Sequence, residues 1–475
     1  MTSATAGGAR RPNILFFFTD DQRFDTIAAL GHGQLRTPNM DALVRNGTAF
    51  TRAHIMGGSS GAVCMPSRAM LMTGRTLYHI DGEGQGISEE HVLLGEALQR
   101  AGYTTFGTGK WHNGPRAYAR SFTSGAEIFF GGMDDHWNIP ACHFDPSGAY
   151  AFQAPFARDP RRSNAVEYRR ADHLTPGKHS SELFADAATS FLEEHTRNSA
   201  GTPFFAYVAF MAPHDPRTMP REYLEMYDPA QIELPPNYLP EHPFDYGEMR
   251  GRDESLEAWP RTEEAIRRHI AEYYAMITHL DAQIGRVMET LRRTGQEENT
   301  IVVFAGDNGL ALGQHGLMGK QNLYDHSVRV PLIFSGPGVP RGQRSAAHAY
   351  LLDIYPTLCE LVGMETPSTV EGKSLVAAVR DPSTPVRDVV LCAYRGLMRS
   401  ARDSRYKLIE YAGRGQRYTQ LFDVVEDPWE QHNLANDPAR AGTVQQLRVE
   451  LERWRTELDD HRPNQGESFW RTYHA

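Results

Sequence analysis

The sequence predicts an α/β protein with a large, mostly parallel sheet sandwiched by helices and a smaller C-terminal antiparallel sheet with one helix packed on it. Up to about residue 385, short apolar runs alternate with amphipathic helical segments. Uninterrupted apolar runs are typical of parallel strands that are buried on both faces. Beyond that point, strand patterns follow one another without helices between them. We therefore predict a large α/β domain at residues 1–384 and an α+β subdomain at residues 385–475.

The elements of the large domain follow from local signals. Residues 12–19 form an apolar strand, and Thr37-Pro38 begins a short helix that Gly47 ends. Thr is a good helix cap, Pro fits the first helical position, and Gly follows the last. Residues 234–259 form an irregular connection, long enough to be a binding loop or lid. The other predicted elements are helices at residues 89–100, 181–195, 262–293 and 353–362, and strands at residues 104–106, 204–210, 301–305 and 331–334.

The subdomain is predicted as a small antiparallel sheet with a closing helix. Its strands are predicted at residues 389–394, 397–401, 406–411 and 420–424, and its helix at residues 444–458. The chain has no internal repeat, low-complexity tract or evident flexible linker. We therefore expect the subdomain to pack on the large domain.

Composition argues against several classes of partner and compartment. The 475 residues carry a net charge of −10, which disfavours nucleic acid and anionic membranes as partners. The four cysteines are far apart and indicate neither a disulfide framework nor a zinc knuckle. No apolar run approaches the roughly 20 residues of a membrane helix, and the run at residues 14–18 is too short for a signal peptide. The sequence predicts a cytoplasmic protein, or a periplasmic or secreted one if an export signal was removed, and leaves the oligomeric state open.

The segment at residues 64–68, Cys-Met-Pro-Ser-Arg, is the most informative part of the chain. Pro66 suits the first turn of a helix, where its missing N–H costs nothing. The unpaired amides and positive dipole end of that helix would face the same side as Cys64. Arg68 adds a cation one turn later, so an anion would bind next to Cys64. The alternative, that Cys64 is a buried structural cysteine at a helix cap, is disfavoured because its expected partner residues appear in order along the chain.

Two apolar strands end in oxygen ligands. Asp20-Asp21 follows the first strand, and Asp307-Asn308 follows the strand at residues 301–305. Ligands bind outside the carboxyl ends of strands in open α/β sheets, and three carboxylates gathered there would repel one another without a cation. Oxygen ligands suit calcium or magnesium rather than zinc. Taken singly, the two motifs also fit a helix cap and a turn.

Four basic or imidazole side chains follow strand ends or the predicted metal motif. Lys110 and His112 follow a strand at alternate positions, and would lie on one side if the chain is extended there. His214 follows the strand at residues 204–210, and Lys320 follows the metal motif. One such side chain in a loop is usually just solvated, whereas four in these positions indicate a site for an anion.

These motifs resemble, in order, those of the type I sulfatases of the alkaline phosphatase superfamily. The resemblance rests on Cys-x-Pro-Ser-Arg followed by Thr-Gly-Arg at residues 73–75, and it extends to Leu-Phe-Asp at residues 421–423. It implies a sulfuric ester hydrolase whose catalytic machinery lies in residues 1–384. It also implies that a formylglycine-generating enzyme oxidises Cys64 to formylglycine, whose hydrate is the nucleophile, and that Ca²⁺, or Mg²⁺ in its place, is the cofactor.

The resemblance further implies roles for individual residues. The implied metal ligands are Asp20, Asp21, Asp307, Asn308 and the modified Cys64. Arg68 and Lys110 would steady the hydrated aldehyde, and Lys110 and Lys320 would bind the sulfate oxygens. His214 would lie beside the leaving oxygen, and His112 beside the second hydroxyl of the nucleophile.

Elementary chemistry agrees with these implied roles. A sulfate monoester is an anion, so preorganised cations in a dry site would stabilise its transition state. An alkoxide leaves poorly, and a positioned histidine acid assists it. A hydrated aldehyde can expel sulfate by losing the proton of its second hydroxyl, an exit that a serine nucleophile lacks.

The sequence leaves two other functions open. A phosphonate monoester hydrolase or phosphodiesterase of the same superfamily can carry the same cysteine motif, although such relatives generally lack the Lys-Trp-His arrangement found at residues 110–112. A catalytically silent binding protein would result if Cys64 were never oxidised. The predicted substrate is a small-molecule or saccharide sulfate ester, with choline sulfate as an alternative. The residues predicted to contact it are His79, Asp81, Asp215 and Arg217.

Overall fold

The computed structural model describes residues 11–80, 82–157, 159, 161–199, 201–413, 415–462 and 466–475. Among these residues the strands are β1 (Asn13–Thr19), β2 (Gly47–Phe50), β3 (Ala53–His54), β4 (Gly57–Gly58), β5 (Thr104–Lys110), β6 (Ser124–Phe129), β7 (Gln153–Ala157), β8 (Val166–Arg170), β9 (Phe204–Ala209), β10 (Thr300–Gly306), β11 (Arg329–Val330), β12 (Leu332–Ser335), β13 (Gln343–Ser345), β14 (Ala349–Tyr350), β15 (Val390–Tyr394), β16 (Met398–Arg402), β17 (Tyr406–Gly413) and β18 (Gln416–Asp423).

The α-helices among the described residues are α1 (Pro38–Asn46), α2 (Cys64–Thr73), α3 (Leu94–Arg100), α4 (Pro115–Ser121), α5 (Ser180–Ser199), α6 (Arg221–Leu224), α7 (Glu263–Arg293), α8 (Asp325–Val328), α9 (Ile354–Leu361), α10 (Val376–Arg380), α11 (Ala441–Glu457) and α12 (Glu467–His474). None of these described helices combines enough length and apolar character to cross a membrane.

The large sheet is mostly parallel, and the predicted fold class is confirmed. Its strand order is β13-β2-β12-β10-β1-β9-β5-β6. Strand β1 pairs in parallel with both β10 and β9, and β9 pairs in parallel with β5. Only β12 runs antiparallel to its neighbours, β10 and β2, among the described strands of this sheet. The carboxyl ends of β10, β1, β9 and β5 therefore lie along one edge.

Apolar cores fill both faces of this sheet. Phe16 and Phe18 of β1 pack into one core, whereas Leu15 and Phe17 pack into the other, as the alternation of side chains along a strand requires. All four side chains are fully buried. Because both faces are covered, β1 has no position at which a charged side chain would be tolerated until the strand ends.

Most elements lie where the sequence predicts them, and the differences have local causes. Helix α3 begins at Leu94 rather than at residue 89, because the Leu93 N–H donates to the Glu96 carboxylate at 2.8 Å and caps the helix there. Strand β5 continues to Lys110 through two glycines that weaken its strand pattern. The second of them, Gly109, has φ +87°, and a Cβ there would lie 1.9 Å from a backbone oxygen. Among the described residues, the sequence patterns do not predict strands β2–β4, β6–β8, β11, β13 and β14 or helices α4, α6, α8, α10 and α12.

The second sheet joins the two predicted domains. Its order is β18-β17-β16-β15-β4, and β15 to β18 form an antiparallel meander on which α11 and α12 pack. Strand β4, from the N-terminal range, runs parallel to β15. Gly57 permits this approach, because its φ is +90° and a Cβ would lie 2.0 Å from the Ala393 oxygen. Since one sheet contains residues of both ranges, the boundary after residue 384 stays a prediction.

Candidate active site

Polar side chains gather where the parallel strands end. Asp20 and Asp21 follow β1, and Asp307 and Asn308 follow β10. The last residues of these two strands are register partners, so the two motifs lie side by side. Lys110 is the last residue of β5, two strands away at the same edge.

The oxygen-bearing side chains form one buried cluster. The backbone N–H of Asp21 donates to Asp307 Oδ1 at 3.1 Å, and Asn308 Nδ2 donates to Asp21 Oδ1 at 2.6 Å. Possible ligand atoms of Asp20, Cys64 and Asp307 lie within 4.8 Å of one another. Among the described residues, Asp20 Oδ1 and Asn308 Oδ1 have no hydrogen-bond partner. Buried oxygen atoms that lack a donor fit a divalent cation that takes oxygen ligands.

Buried cations balance part of this negative charge. Arg68 donates from Nε to Asp307 Oδ2 at 2.9 Å. Lys320 Nζ donates to both carboxylate oxygens of Asp21, at 2.6 and 2.8 Å. All four side chains are almost completely excluded from solvent, so these pairs act in a medium of low dielectric constant and are weakly screened by salt.

The pKa values follow from this crowding of charges. Burial by itself raises the pKa of Asp20, but the neighbouring Lys110 and His214 hold that pKa well below its ordinary value. Burial and the adjacent carboxylate of Asp20 raise the pKa of Asp307, against the opposing effect of Arg68. Two carboxylates that share a buried site repel each other when both are ionised. A bound cation would offset that repulsion.

Cys64 lies among these charges as the first residue of α2. Lys110 Nζ contacts Asp20 Oδ2 and also donates to the Cys64 sulfur at 3.6 Å. The Nδ1 atom of His112 lies 3.4 Å from the same sulfur. Burial raises the pKa of the Cys64 thiol even though Lys110 and Lys320 oppose this effect. The thiol is therefore protonated at neutral pH and is a poor nucleophile as it stands.

The chain turns at His112 instead of remaining extended. His112 has φ +69°, so the expectation that Lys110 and His112 alternate along an extended segment is wrong. Both side chains nevertheless reach Cys64, because the turn redirects the ring. Burial lowers the pKa of His112 well below its ordinary value, and the neighbouring Lys110 lowers it further. The ring is neutral at pH 7 and can accept a proton.

His214 completes the site and lies in the turn that follows β9. Its Nε2 atom lies 3.5 Å from Asp21 Oδ2, and its Nδ1 atom lies 2.8 Å from the backbone oxygen of Asp215. A hydrogen bond from Nδ1 to this carbonyl fixes the orientation of the ring. His136 Nε2 lies 3.1 Å from the backbone oxygen of His214, so a hydrogen bond there stabilises the turn that carries His214.

Two of the four predicted substrate residues lie at the site. Asp215 Oδ1 is 3.5 Å from His214 Nδ1. Burial raises the pKa of Asp215, but His214 and Arg217 outweigh burial and lower it. Arg217 donates from Nη1 to His269 Nδ1 at 2.7 Å. Its Nε and Nη2 atoms are buried and have no hydrogen-bond partner among the described residues.

A third predicted substrate residue, His79, is not brought to the site. His79 lies past the C-terminal end of α2 whereas Cys64 begins it, and a helix of this length spans about 15 Å. The ring of His79 contacts Glu371 at 2.5 Å and Asp459 at 3.1 Å. The hydrogen bond to Glu371 raises the pKa of His79. Asp81 lies outside the described residues.

Sequence reasoning missed the residues that position the site. Glu254 lies in the irregular connection predicted at residues 234–259, and it accepts hydrogen bonds from the N–H groups of Met318 and Gly319 at 3.0 Å. It thereby holds the loop that carries Lys320. The length of the connection was the only sequence signal for this contact, since no spacing or periodicity marks Glu254.

A buried cluster of carboxylates, cations and one cysteine at the carboxyl edge of this sheet defines a hydrolase of anionic esters. The chain belongs to the sulfatase family, whose profile matches residues 12–364. A second profile, the C-terminal region of N-sulphoglucosamine sulphohydrolase, matches residues 313–457. The enzyme is thus a sulfatase, as the motifs predict.

Relatives cover nearly the whole chain. An ulvan-active sulfatase from Formosa agariphila is 29% identical, over 95% of this chain and 82% of that protein. A solved structure in complex with its substrate D-glucosamine-2-N,6-O-disulfate has a TM-score of 0.75 at 21% identity and covers 96% of this chain and 99% of its own. The phosphonate monoester hydrolase of Agrobacterium radiobacter has a TM-score of 0.74 at 23% identity, with coverage of 94% and 96%. At these identities the two structures show the fold alone.

Proposed function

We propose that this sulfatase hydrolyses the sulfate monoester of a carbohydrate, using a formylglycine made from Cys64 as nucleophile and a divalent cation as cofactor. One observation carries the proposal. Cys64 lies within hydrogen-bonding range of both Lys110 and His112 and beside the carboxylate cluster. A nucleophile, cations for an anionic substrate and oxygen ligands for a metal therefore share one buried site.

The raised pKa of the Cys64 thiol argues against the unmodified cysteine as the nucleophile. A catalytic cysteine normally has a lowered pKa, whereas burial raises that of Cys64. Formylglycine would supply a hydrated aldehyde, with one hydroxyl to attack sulfur and a second whose deprotonation releases sulfate. His112 would accept that proton, since its lowered pKa keeps the ring neutral. Lys110 would hold the hydroxyl groups in place by donating to them.

The unpaired oxygen atoms of the cluster support a cation there. Asp20, Asp21, Asp307 and Asn308 would hold Ca²⁺, or Mg²⁺ in its place, because both take oxygen ligands. The cation would polarise the sulfate and stabilise negative charge on its oxygens. Lys320 and Lys110 would bind the remaining sulfate oxygens, and Arg68 would hold Asp307 in its ligating orientation.

Relatives support a carbohydrate as the substrate class. One relative is named an ulvan-active sulfatase, and one similar structure is solved in complex with its substrate D-glucosamine-2-N,6-O-disulfate. The rim formed by Asp215 and Arg217 offers acceptors and donors for sugar hydroxyls. The choline-sulfatase alternative stays a prediction, because no contact of the described residues separates it from a carbohydrate sulfatase.

Purified enzyme is expected to turn over sulfated sugars at least roughly 10²-fold faster, by kcat/KM, than a phosphonate monoester. This preference is expected because Lys110 would hold the hydroxyl groups of the nucleophile and His112 would accept the proton whose loss releases sulfate. The measurement is initial rates on glucosamine 6-sulfate, D-glucosamine-2-N,6-O-disulfate, choline sulfate, an aryl sulfate and a phenyl phosphonate ester. Cys64→Ala protein prepared in parallel measures contaminating activity. Faster turnover of the phosphonate than of every sulfate would establish the rival function instead.

His214→Ala is expected to lower activity on an alkyl or sugar sulfate by roughly 10²–10⁴-fold, because His214 would protonate the leaving oxygen. An aryl sulfate with an acidic phenol needs little proton assistance and should lose much less. His112→Ala should instead slow release of sulfate to a similar extent whichever alcohol has left. Steady-state and burst kinetics on both substrate types make the comparison.

The matched control for these variants is His348→Ala, which removes another buried histidine of the large domain that contacts His54 rather than the site. His348→Ala should keep the activity on the sugar or alkyl sulfate and the activity on the aryl sulfate. Equal losses on both substrates for His214→Ala would mean that the two histidines have other roles.

A further inference from the structure

A two-stranded hairpin, β7–β8, stands beside the active site and belongs to neither of the two larger sheets. Gly132 lies against the His112 ring, since a Cβ built on it would be 3.0 Å from Nε2. Asp134 follows two positions later and accepts a hydrogen bond from Arg169 of β8 at 2.6 Å. Two residues span at most about 7 Å, so Asp134 ties the hairpin to the segment that contacts the His112 ring.

The outer face of the hairpin is apolar and exposed. Pro155 lies opposite Tyr168, and Val166 lies two positions away on the same face. Tyr168 is 65% exposed and Val166 is 52% exposed. A hairpin of two strands is marginally stable in water by itself, and large apolar side chains exposed on one of its faces indicate a binding surface.

The hairpin is basic, although the chain is acidic. Residues 150–170 contain five arginines and only two carboxylates, whereas the net charge of the whole chain is −10. Arg161 and Arg162, near the tip of the hairpin, are exposed, and no ion pair joins them to a described residue. This contrast of charge favours an anionic partner, and it disfavours a second copy of the acidic chain.

We propose that this face binds an extended, multiply sulfated oligosaccharide, one sulfate of which occupies the active site. The inference rests on the proposed function, because it takes a sulfated carbohydrate as the substrate. The ring of Tyr168 would pack against the apolar face of a sugar residue. Arg161 and Arg162 would pair with sulfates other than the one that is cleaved, since guanidinium groups match such oxyanions in geometry. A small sulfate ester would not reach the hairpin.

The test compares two sets of variants. Arg161→Ser/Arg162→Ser/Tyr168→Ala removes the proposed contacts, and Arg341→Ser/Arg380→Ser removes two exposed arginines elsewhere on the large domain. Each set is also combined with Cys64→Ala, so that binding can be measured without turnover. The ligands are size-fractionated heparin oligosaccharides, from di- to octasaccharide, and D-glucosamine-2-N,6-O-disulfate. The measurements are dissociation constants by calorimetry at several salt concentrations and kcat/KM on the small disulfate.

The hairpin variant is expected to bind the octasaccharide roughly tenfold more weakly, with a shallower salt dependence, while its kcat/KM on the small disulfate stays within about twofold. The arginine control should match the unaltered chain in both respects. Equal affinities of the hairpin and control variants for the octasaccharide, or no octasaccharide binding by the unaltered chain, would overturn the inference. So would a dimer, seen by light scattering, that dissociates on Tyr168→Ala. Failure of the proposed function would appear separately, as absent turnover of every sulfate ester with octasaccharide binding intact.

Discussion

Replacing Cys64 with alanine is expected to abolish turnover, with a loss of at least about 10⁴-fold in kcat, as removal of a covalent nucleophile does in other enzymes. Stability should change little, because the side chain is small and stands in a polar cluster. Cys64→Ser should be inactive over repeated turnovers as well, since a serine sulfate could be released only by attack of water. The measurement is kcat on a sulfate ester together with the midpoint of thermal unfolding.

The matched control is Cys359→Ala, which removes another buried, free cysteine. It should keep full activity at a modest cost in stability, because Cys359 packs in the apolar core. Peptide mass spectrometry on active enzyme should find the Cys64 thiol replaced by an aldehyde. Full activity in protein whose Cys64 is wholly unmodified would contradict the proposed nucleophile.

Asp307→Ala is expected to lower kcat by more than about 100-fold and to remove one bound calcium per chain. Replacing a group that only supports a metal ligand typically lowers metal affinity or activity by about 10–100-fold. Asp307 would itself be a ligand, so a larger loss is expected. The change also leaves the buried guanidinium of Arg68 without its closest carboxylate, so a loss of stability of up to about 3 kcal/mol is expected. Metal analysis, kcat and urea unfolding measure the three effects.

Two further variants separate metal binding from folding. Asp307→Asn keeps the shape of the side chain and should fold while binding calcium poorly. Asp353→Ala removes a buried aspartate that pairs with Arg387, away from the site, and should lose stability but keep one calcium. An Asp307→Ala protein that holds one calcium and turns over sulfate esters would refute the proposed metal site.

The raised pKa of Asp307 gives this prediction a pH dependence. Burial and the neighbouring Asp20 raise that pKa in the cation-free protein, so protons compete with the cation for the Asp307 carboxylate as the pH is lowered. Calorimetric titration with calcium should therefore show weaker binding, and release of more protons, at lower pH.

The sequence by itself determined the fold class, the central strands of the large sheet, the strands of the small sheet that follow residue 385, and the residues that end the central strands. Short apolar runs such as the one ending at Asp20 are typical of strands buried on both faces, and a charged side chain is not tolerated before such a strand ends. The motif at Cys64 identified the family from the sequence alone, because its residues are adjacent in the chain. These features depend on interactions between residues that are close in the chain, so the sequence alone predicts them.

Only the tertiary structure decided how these residues meet. His112 reaches Cys64 through a turn with φ +69° rather than by alternation along a strand, and Glu254 supports the loop of Lys320 from a distant, irregular segment. His79, close to Cys64 in sequence, lies beyond the other end of α2. The hairpin β7–β8 has no strong pattern, because its strands have no buried face to impose one. Contacts between distant segments depend on the packing of the whole chain, which no local pattern encodes.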